Sequence, residues 1–217
     1  MDPAPLRFAD RREAGRLLAD ALDIGSGADA VVYGIPRGGV VVAAAVAEAL
    51  SLPLDTLVVR KLGYPGHEEA AFGAVGEDGV VMPQRLAQIG EDRRLARVVE
   101  PAIERLRAEV DERVHEYRGG RPRASARSRT AVVVDDGLAT GYTFAAALEI
   151  VAHDEPARLI GAVPVAAEQG LAVAAEHCDE VHALAIVPAG TFFAVSLYYE
   201  RFEQVGDDAV QRLLGAS

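Results

Sequence analysis

Residues 132–143 read VVVDDGLATGYT, and this order of residue types suits one ligand with two chemically different ends. The second half, Ala139, Thr140, Gly141, Tyr142 and Thr143, forms a turn where a helix begins. The free amides of a first helical turn, the positive end of its dipole and the two threonine hydroxyls make an anion cradle. It is not a Walker loop, because the lysine and its glycine spacing are missing. Directly before it stand Asp135 and Asp136. Two carboxylates repel a phosphate but accept paired hydrogen bonds from vicinal hydroxyls. A ribose carrying a phosphate satisfies both halves. The plainer alternative is that Asp136 only caps the turn that follows.

These residues need a scaffold. Residues 10–22 carry a helical apolar face of Ala14, Leu17, Leu18, Ala21 and Leu22. AVVYGIP then predicts a buried strand closed by PRGG, followed by an almost wholly apolar helix, GVVVAAAVAEAL. LDTLVVRK predicts a second strand, and the glycine-rich LGYPGHEEAAFGAVGEDG a long loop in which AFGAV and VVM could pair as a hairpin. In residues 91–118, Leu95, Val98, Ala102, Leu106, Val110, Val114 and Tyr117 recur at helical steps, with a kink or restart expected at Pro101. GGRPRASARSR reads as an exposed basic connection. Three strand–helix units follow, TAVVVDD with YTFAAALEIVAH, RLIGAVPV with EQGLAVAAEHC, and EVHALAI, before an aromatic tail breaks the rhythm. Uniformly apolar strands alternating with helices indicate an α/β fold around a parallel sheet. Ligands of such sheets bind beyond the carboxyl ends of the strands, where both aspartates fall.

The chain has 217 residues, 50% of them hydrophobic, which suits a single domain over 1–217. Its net charge of −11 argues against nucleic acid or an anionic membrane as partner. The longest apolar run, residues 40–50, is one short helix and contains Glu48, so no membrane span is expected. The N-terminal residues lack the order of a signal peptide, and the single cysteine, Cys178, excludes an internal disulfide and fits a reducing cytoplasm. Cys178 reads as a small packing residue. No cluster of His, Cys and carboxylates has the spacing of a built-in metal site; His67 beside Glu68 and Glu69 lacks further ligands.

VVVDDGLATGYT resembles, position by position, the ribose-phosphate motif of the type I phosphoribosyltransferases: an apolar strand, two acids, three spacers and Thr-Gly-x-Thr. The resemblance extends along about the whole chain, and PRGG, RKLG.PG, GAVGE.G and VDDG.ATG are similar to the stand-alone uncharacterised group of predicted phosphoribosyltransferases. It implies a parallel sheet with helices on both faces (core about 25–187), a flexible flap (about 62–80), a helical insertion (about 84–118) and a small hood of C-terminal and N-terminal segments (about 188–217). It implies phosphoribosyl pyrophosphate (PRPP) as donor, with its 5′-phosphate on residues 139–143 and its ribose on Asp135 and Asp136. The pyrophosphate would lie on Arg37, Gly38 and Gly39, after a strained, often cis, peptide at Pro36–Arg37, and near Arg60 and Lys61. Mg2+ would be held mainly through PRPP itself. The reaction implied is displacement of pyrophosphate at C1 of ribose, and the assembly implied is a homodimer.

The acceptor is less legible. The 6-oxopurine enzymes carry an aspartate just before Thr-Gly, where this chain has Ala139, and no lysine stands at the hood to read a 6-oxo group. Flap glutamates take the proton-transfer role in the adenine enzymes, which nominates Glu69 or Glu68 here. Phe192 or Phe193 could stack on a planar base. Three readings stay open: a transferase acting on a nitrogenous acceptor, a PRPP-sensing regulator with little chemistry, and a module binding adenosine phosphates.

Overall fold

The computed structural model describes residues 7–25, 27–64, 67–77, 79–81, 93–188 and 190–215; of residues 63–64, 67–72, 80–81 and 93–98 only the backbone is described. In chain order the elements are α1 (Arg11–Ala21), β1 (Ala30–Gly34), α2 (Gly38–Leu50), β2 (Leu54–Thr56), β3 (Val59–Tyr64), β4 (His67–Gly76), β5 (Gly79–Val81), α3 (Arg93–Arg118), β6 (Thr130–Val134), α4 (Tyr142–Ala152), β7 (Arg158–Ala167), α5 (Glu168–Ala175), β8 (Glu180–Val187), a 3-10 turn (Val195–Tyr198) and α6 (Asp207–Gly215).

Five parallel strands form the main sheet in the order β2-β1-β6-β7-β8. Both faces are covered, as the apolar strands require. Val32, Val132, Val134 and Ile160 point to one side and pack with Leu18, Val42 and Val46 of α1 and α2. Val31, Tyr33, Val133 and Leu159 point to the other and pack with Phe144, Leu148 and Ile150 of α4. The α/β architecture read from the sequence is the one observed.

Three local expectations are corrected. LDTLVVRK is not one strand: β2 ends at Thr56, Leu57 and Val58 are fully buried, and β3 joins a second sheet. The break is made by side chains: Asp55 accepts from the amide of Thr56, and Glu77 accepts from that of Val58 at 3.1 Å. Arg60 and Lys61 therefore stand on the second sheet, just past the rim of the first. The glycine-rich stretch is not a long loop either. β3 and β4 pair antiparallel from Val59↔Gly76 to Tyr64↔His67, with irregular register around Gly63, and β5 adds the expected hairpin through Val75↔Val80. Cross-strand hydrogen bonding supplies the order that glycine-rich composition hid. Finally, α3 does not restart at Pro101, since the helix continues through it.

The basic connection is exposed but fastened. Arg123 pairs with Asp154, Arg127 with Glu155 and Arg129 with Asp29, while Ala126 is buried. The hood joins the two ends of the described chain. The amide of Phe8 donates to the carbonyl of Tyr198 at 2.9 Å, and the amides of Glu200 and Arg201 donate to the carbonyls of Phe8 and Ala9. Among the described residues no helix is long and apolar enough to cross a membrane.

Candidate active site

β6 is buried over Ala131–Val134 and delivers Asp135 and Asp136 to the carboxyl rim of the sheet. Asp135 Oδ1 accepts from the amide of Asp136 at 2.8 Å, and Asp136 Oδ2 accepts from Arg11 Nε at 2.8 Å. Each aspartate is left with one oxygen that makes no hydrogen bond among the described residues. Burial, and next the neighbouring charge of Asp136, push the Asp135 carboxyl well above the ordinary carboxylate range; the Asp136 amide, Arg11 and Lys61 oppose that rise.

Two helix N-termini flank this pair. α2 starts after the cis Pro36–Arg37 peptide, and α4 starts directly after Gly141, whose φ is 84; neither has a side-chain cap. Their first amides are thus available to an anion. The PRGG loop lies directly on the acids: a Cβ on Gly38 would stand 1.9 Å from Asp136 Oδ2, and one on Gly39 2.7 Å from Asp135 Oδ1. Close backbone approach is why glycine is required at both positions. The α4 turn is seated equally tightly, because a Cβ on Gly141 would lie 2.7 Å from the carbonyl of Gly170. Ala139, Thr140 and Tyr142 are exposed at its mouth, and Thr143 Oγ1 is a buried hydroxyl with no hydrogen-bond partner among the described residues.

The remaining nominated residues divide. Lys61 is exposed and lowers the Asp135 carboxyl through its charge. Arg37 is half-exposed and pairs at 3.6 Å with Asp207, the first residue of α6. Among the described residues Arg60 donates only to the carbonyl of Val59, at 3.3 Å. Glu68 and Glu69 lie on the backbone of β4, and their side chains fall outside the description, as does that of His67. Phe192 stacks on Tyr198 with centroids 5.4 Å apart, in the hood core, whereas Phe193 is 82% exposed. Of the two phenylalanines, Phe193 is the more exposed, since Phe192 is partly buried. Cys178 is half-buried and donates to the carbonyls of Ala174 and Glu180, and burial pushes its thiol up, which agrees with a packing role.

Sequence reading missed the residues that brace this site. Arg11 grips Asp136 from α1, and the hydroxyl of Tyr199 donates to the carbonyl of Asp136 at 2.6 Å. Arg118, the last residue of α3, donates to Asp55, to both oxygens of Glu77 and to the carbonyl of Thr56. Asp207 accepts from Arg113 and from the Tyr117 hydroxyl, and these hold its carboxyl below the ordinary range, Tyr117 most strongly. The shortest of these pairings in sequence, Arg118 with Glu77, spans 41 positions, and local pattern carries no sign of such a partner.

Residues 10–193 match the phosphoribosyl transferase domain family. A Mycobacterium tuberculosis protein, carrying the name "Putative phosphoribosyl transferase" in two strains, is 44% identical over 208 residues. That alignment covers 95% of this chain but 46% of the relative, so the chain spans less than half the relative's length. The solved structure of TT1426 from Thermus thermophilus has a TM-score of 0.82 at 41% identity, covering 96% of this chain and 98% of that one. AQ2163 from Aquifex aeolicus, at 13% identity and a TM-score of 0.50, covers 82% of this chain and 75% of its own and shares the fold alone. With its acid pair, glycine loop and Thr-Gly-Tyr-Thr turn all inside the matched stretch, this chain belongs to the phosphoribosyl transferase domain family.

Proposed function

We propose that the protein transfers the ribose 5-phosphate group of PRPP to a nitrogenous acceptor and releases pyrophosphate. The observation that carries this reading is two adjacent carboxylates packed against the uncapped N-terminus of α2 and joined by one short turn to the uncapped N-terminus of α4. PRPP has two anionic ends and a pair of ribose hydroxyls between them, and the same order of groups runs across the site. The 5′-phosphate takes the amides of α4 and the hydroxyls of Thr140 and Thr143, the buried hydroxyl of Thr143 gaining its missing partner. The hydroxyls take the uncommitted oxygens of Asp135 and Asp136. The pyrophosphate takes the amides of Gly38 and Gly39, with Arg37, Arg60 and Lys61 supplying charge around it.

In the reaction the bond from C1 of ribose to the pyrophosphate oxygen breaks, and a bond from C1 to the acceptor nitrogen forms. The electron pair leaves with pyrophosphate, and positive charge gathers on the ribose ring as the bond lengthens. The acid pair is the group we assign to counter that charge. Among the described residues no three His, Cys or carboxylate side chains are grouped to hold a metal. Mg2+ would be held mainly through PRPP's own pyrophosphate and hydroxyl oxygens, where it would neutralise the leaving group. The flap that begins at β3 excludes water, and Glu69 or Glu68 is the group we assign to take the acceptor's proton. Phe193 is the ring offered to a planar acceptor. A reducing cytoplasm suits the single thiol, and a homodimer is the assembly we propose.

The test is pyrophosphate release from PRPP and Mg2+ across a panel of nucleobases and small amines. Turnover with one class of acceptor is the expected result. Binding of PRPP with no turnover on any acceptor would leave a PRPP sensor instead, and no binding would end the donor assignment. Because Ala139 replaces the acid of the 6-oxopurine enzymes, guanine and hypoxanthine are expected to be poor acceptors. A second expectation concerns the loop. Gly39→Ala pushes a methyl against Asp135 and the backbone carbonyl of Val134, 2.9 Å away, so PRPP affinity measured by calorimetry should fall by about tenfold or more.

A further inference from the structure

We infer that Arg11 is a positioning residue for the donor site: it fixes the Asp136 carboxylate in the orientation that receives a ribose hydroxyl, and so couples PRPP binding to the docking of the hood. The inference rests on the donor reading above and adds to it a residue from outside the acid loop. It also involves hood residues beyond the matched domain, which ends at residue 193.

Arg11 opens α1, yet its side chain is only 10% exposed. Nε donates to Asp136 Oδ2 at 2.8 Å, Nη1 donates to the carbonyl of Glu203 at 2.9 Å, and the guanidinium carbon lies 3.7 Å from the centroid of the Phe202 ring. A planar fork held on two edges and flat against an aromatic face has little freedom to turn, so the carboxylate it grips is held too. The backbone of Asp136 is fixed independently by the Tyr199 hydroxyl, and the Tyr199 and Phe202 rings are in contact at 5.2 Å. Both anchors of Asp136 outside its own loop therefore come from the hood and the helix paired with it.

The direction of the grip separates positioning from obstruction. Arg11 takes Oδ2, the oxygen facing the start of α2, where a Cβ on Gly38 would stand 1.9 Å from Oδ2 and 3.0 Å from Arg11 Nε. Oδ1 is the oxygen left for a ligand. A guanidinium that blocked the site would be displaced by PRPP, and its removal would tighten binding; one that positions the carboxylate has the opposite sign.

The experiment is calorimetric titration of the full chain with PRPP in the presence of Mg2+, comparing wild type, Arg11→Met, Arg11→Lys, Asp136→Asn and the double variants. Arg11→Met should weaken PRPP by about tenfold, and Arg11→Lys should recover part of that by keeping charge without the fork. In the Asp136→Asn background the change at Arg11 should have almost no further effect, because its action passes through that carboxylate. A residue needed only for folding would multiply the two losses. Should Arg11→Met fail to fold, Arg11→Lys with and without Asp136→Asn gives the same cycle, and Tyr199→Phe, which keeps the ring and loses the hydroxyl, should weaken PRPP severalfold. Unchanged or tighter binding by the Arg11 variants, or multiplying losses, overturns the inference while leaving the donor reading intact. Failure of the wild-type protein to bind PRPP overturns the donor reading itself.

Discussion

Asp135→Asn is expected to lose about ten- to a hundredfold in PRPP affinity and yet to melt at a higher temperature than the wild-type protein when no ligand is present. The two effects have one cause. Burial and the charge of Asp136 raise the Asp135 carboxyl well above its ordinary value of 3.8. In the unfolded chain the group ionises near that ordinary value; in the folded chain it resists ionisation until higher pH. Its contribution to stability is therefore full below 3.8 and is lost as pH rises through the raised folded value. Above the raised folded value the folded protein carries the whole penalty, and the neutral carboxamide removes it while still accepting from the amide of Asp136. The gain should appear as about 2–4 °C in Tm for each kcal/mol relieved, and should shrink as melts are repeated toward pH 4. In the binding measurement the sign reverses, since the ribose hydroxyls lose a charged acceptor for a weaker neutral one. A variant less stable than wild type at pH 8 would show that the buried charge is compensated by more than Arg11 and Lys61.

What this acid loop required of the sequence was local, and that is why it was legible. Asp135, Asp136 and the turn to Thr143 lie within nine consecutive positions, and the apolar strand before them fixes where they emerge. The same holds for Gly38 and Gly39, whose close approach to the acids follows from one loop after one strand. Glycine-rich composition misled at residues 62–79, because the order of β3 and β4 comes from cross-strand pairing rather than from side-chain periodicity. The division of LDTLVVRK into β2 and β3 was hidden for a different reason. It depends on Glu77 taking the amide of Val58, a partner nineteen residues away. Arg11, Arg118 and Asp207 look like ordinary surface charges in the sequence; only the fold brings Asp136, Glu77 and Arg113 to them. Sequence thus names the groups that would touch ligand, and the tertiary structure names those that hold them.

The largest loss of stability is expected from Arg118→Met. The Arg118 side chain is 3% exposed and the side chains of Asp55 and Glu77 are 11% and 7% exposed, so three charges share a nearly dry site. Arg118 Nε donates to Asp55 Oδ1 at 2.9 Å and Nη2 to Glu77 Oε1 at 2.9 Å, with Nη1 on the other Glu77 oxygen and Nη2 also on the Thr56 carbonyl. The surplus negative charge is met by backbone amides: Thr56 and Ala124 donate to Asp55, and Val58 donates to Glu77. Removing the cation leaves two buried carboxylates without their main partner, which costs about 3–5 kcal/mol. Urea unfolding should show this as a lower midpoint. Hydrogen exchange should show the further consequence that β3 and the end of β4 open before the main sheet, because Arg118 is where α3, β2 and the segment after β4 meet. Replacing Glu77→Gln together with Arg118→Met removes one of the two carboxylates while the Gln oxygen still accepts from Val58, and Asp55 keeps the amides of Thr56 and Ala124 on its two oxygens, so the pair should restore part of the loss. A single Arg118→Met change costing under about 1 kcal/mol would mean that the backbone amides alone satisfy the two carboxylates and that the hairpin is held to the sheet by its apolar contacts, Gly76 against Ile150 foremost.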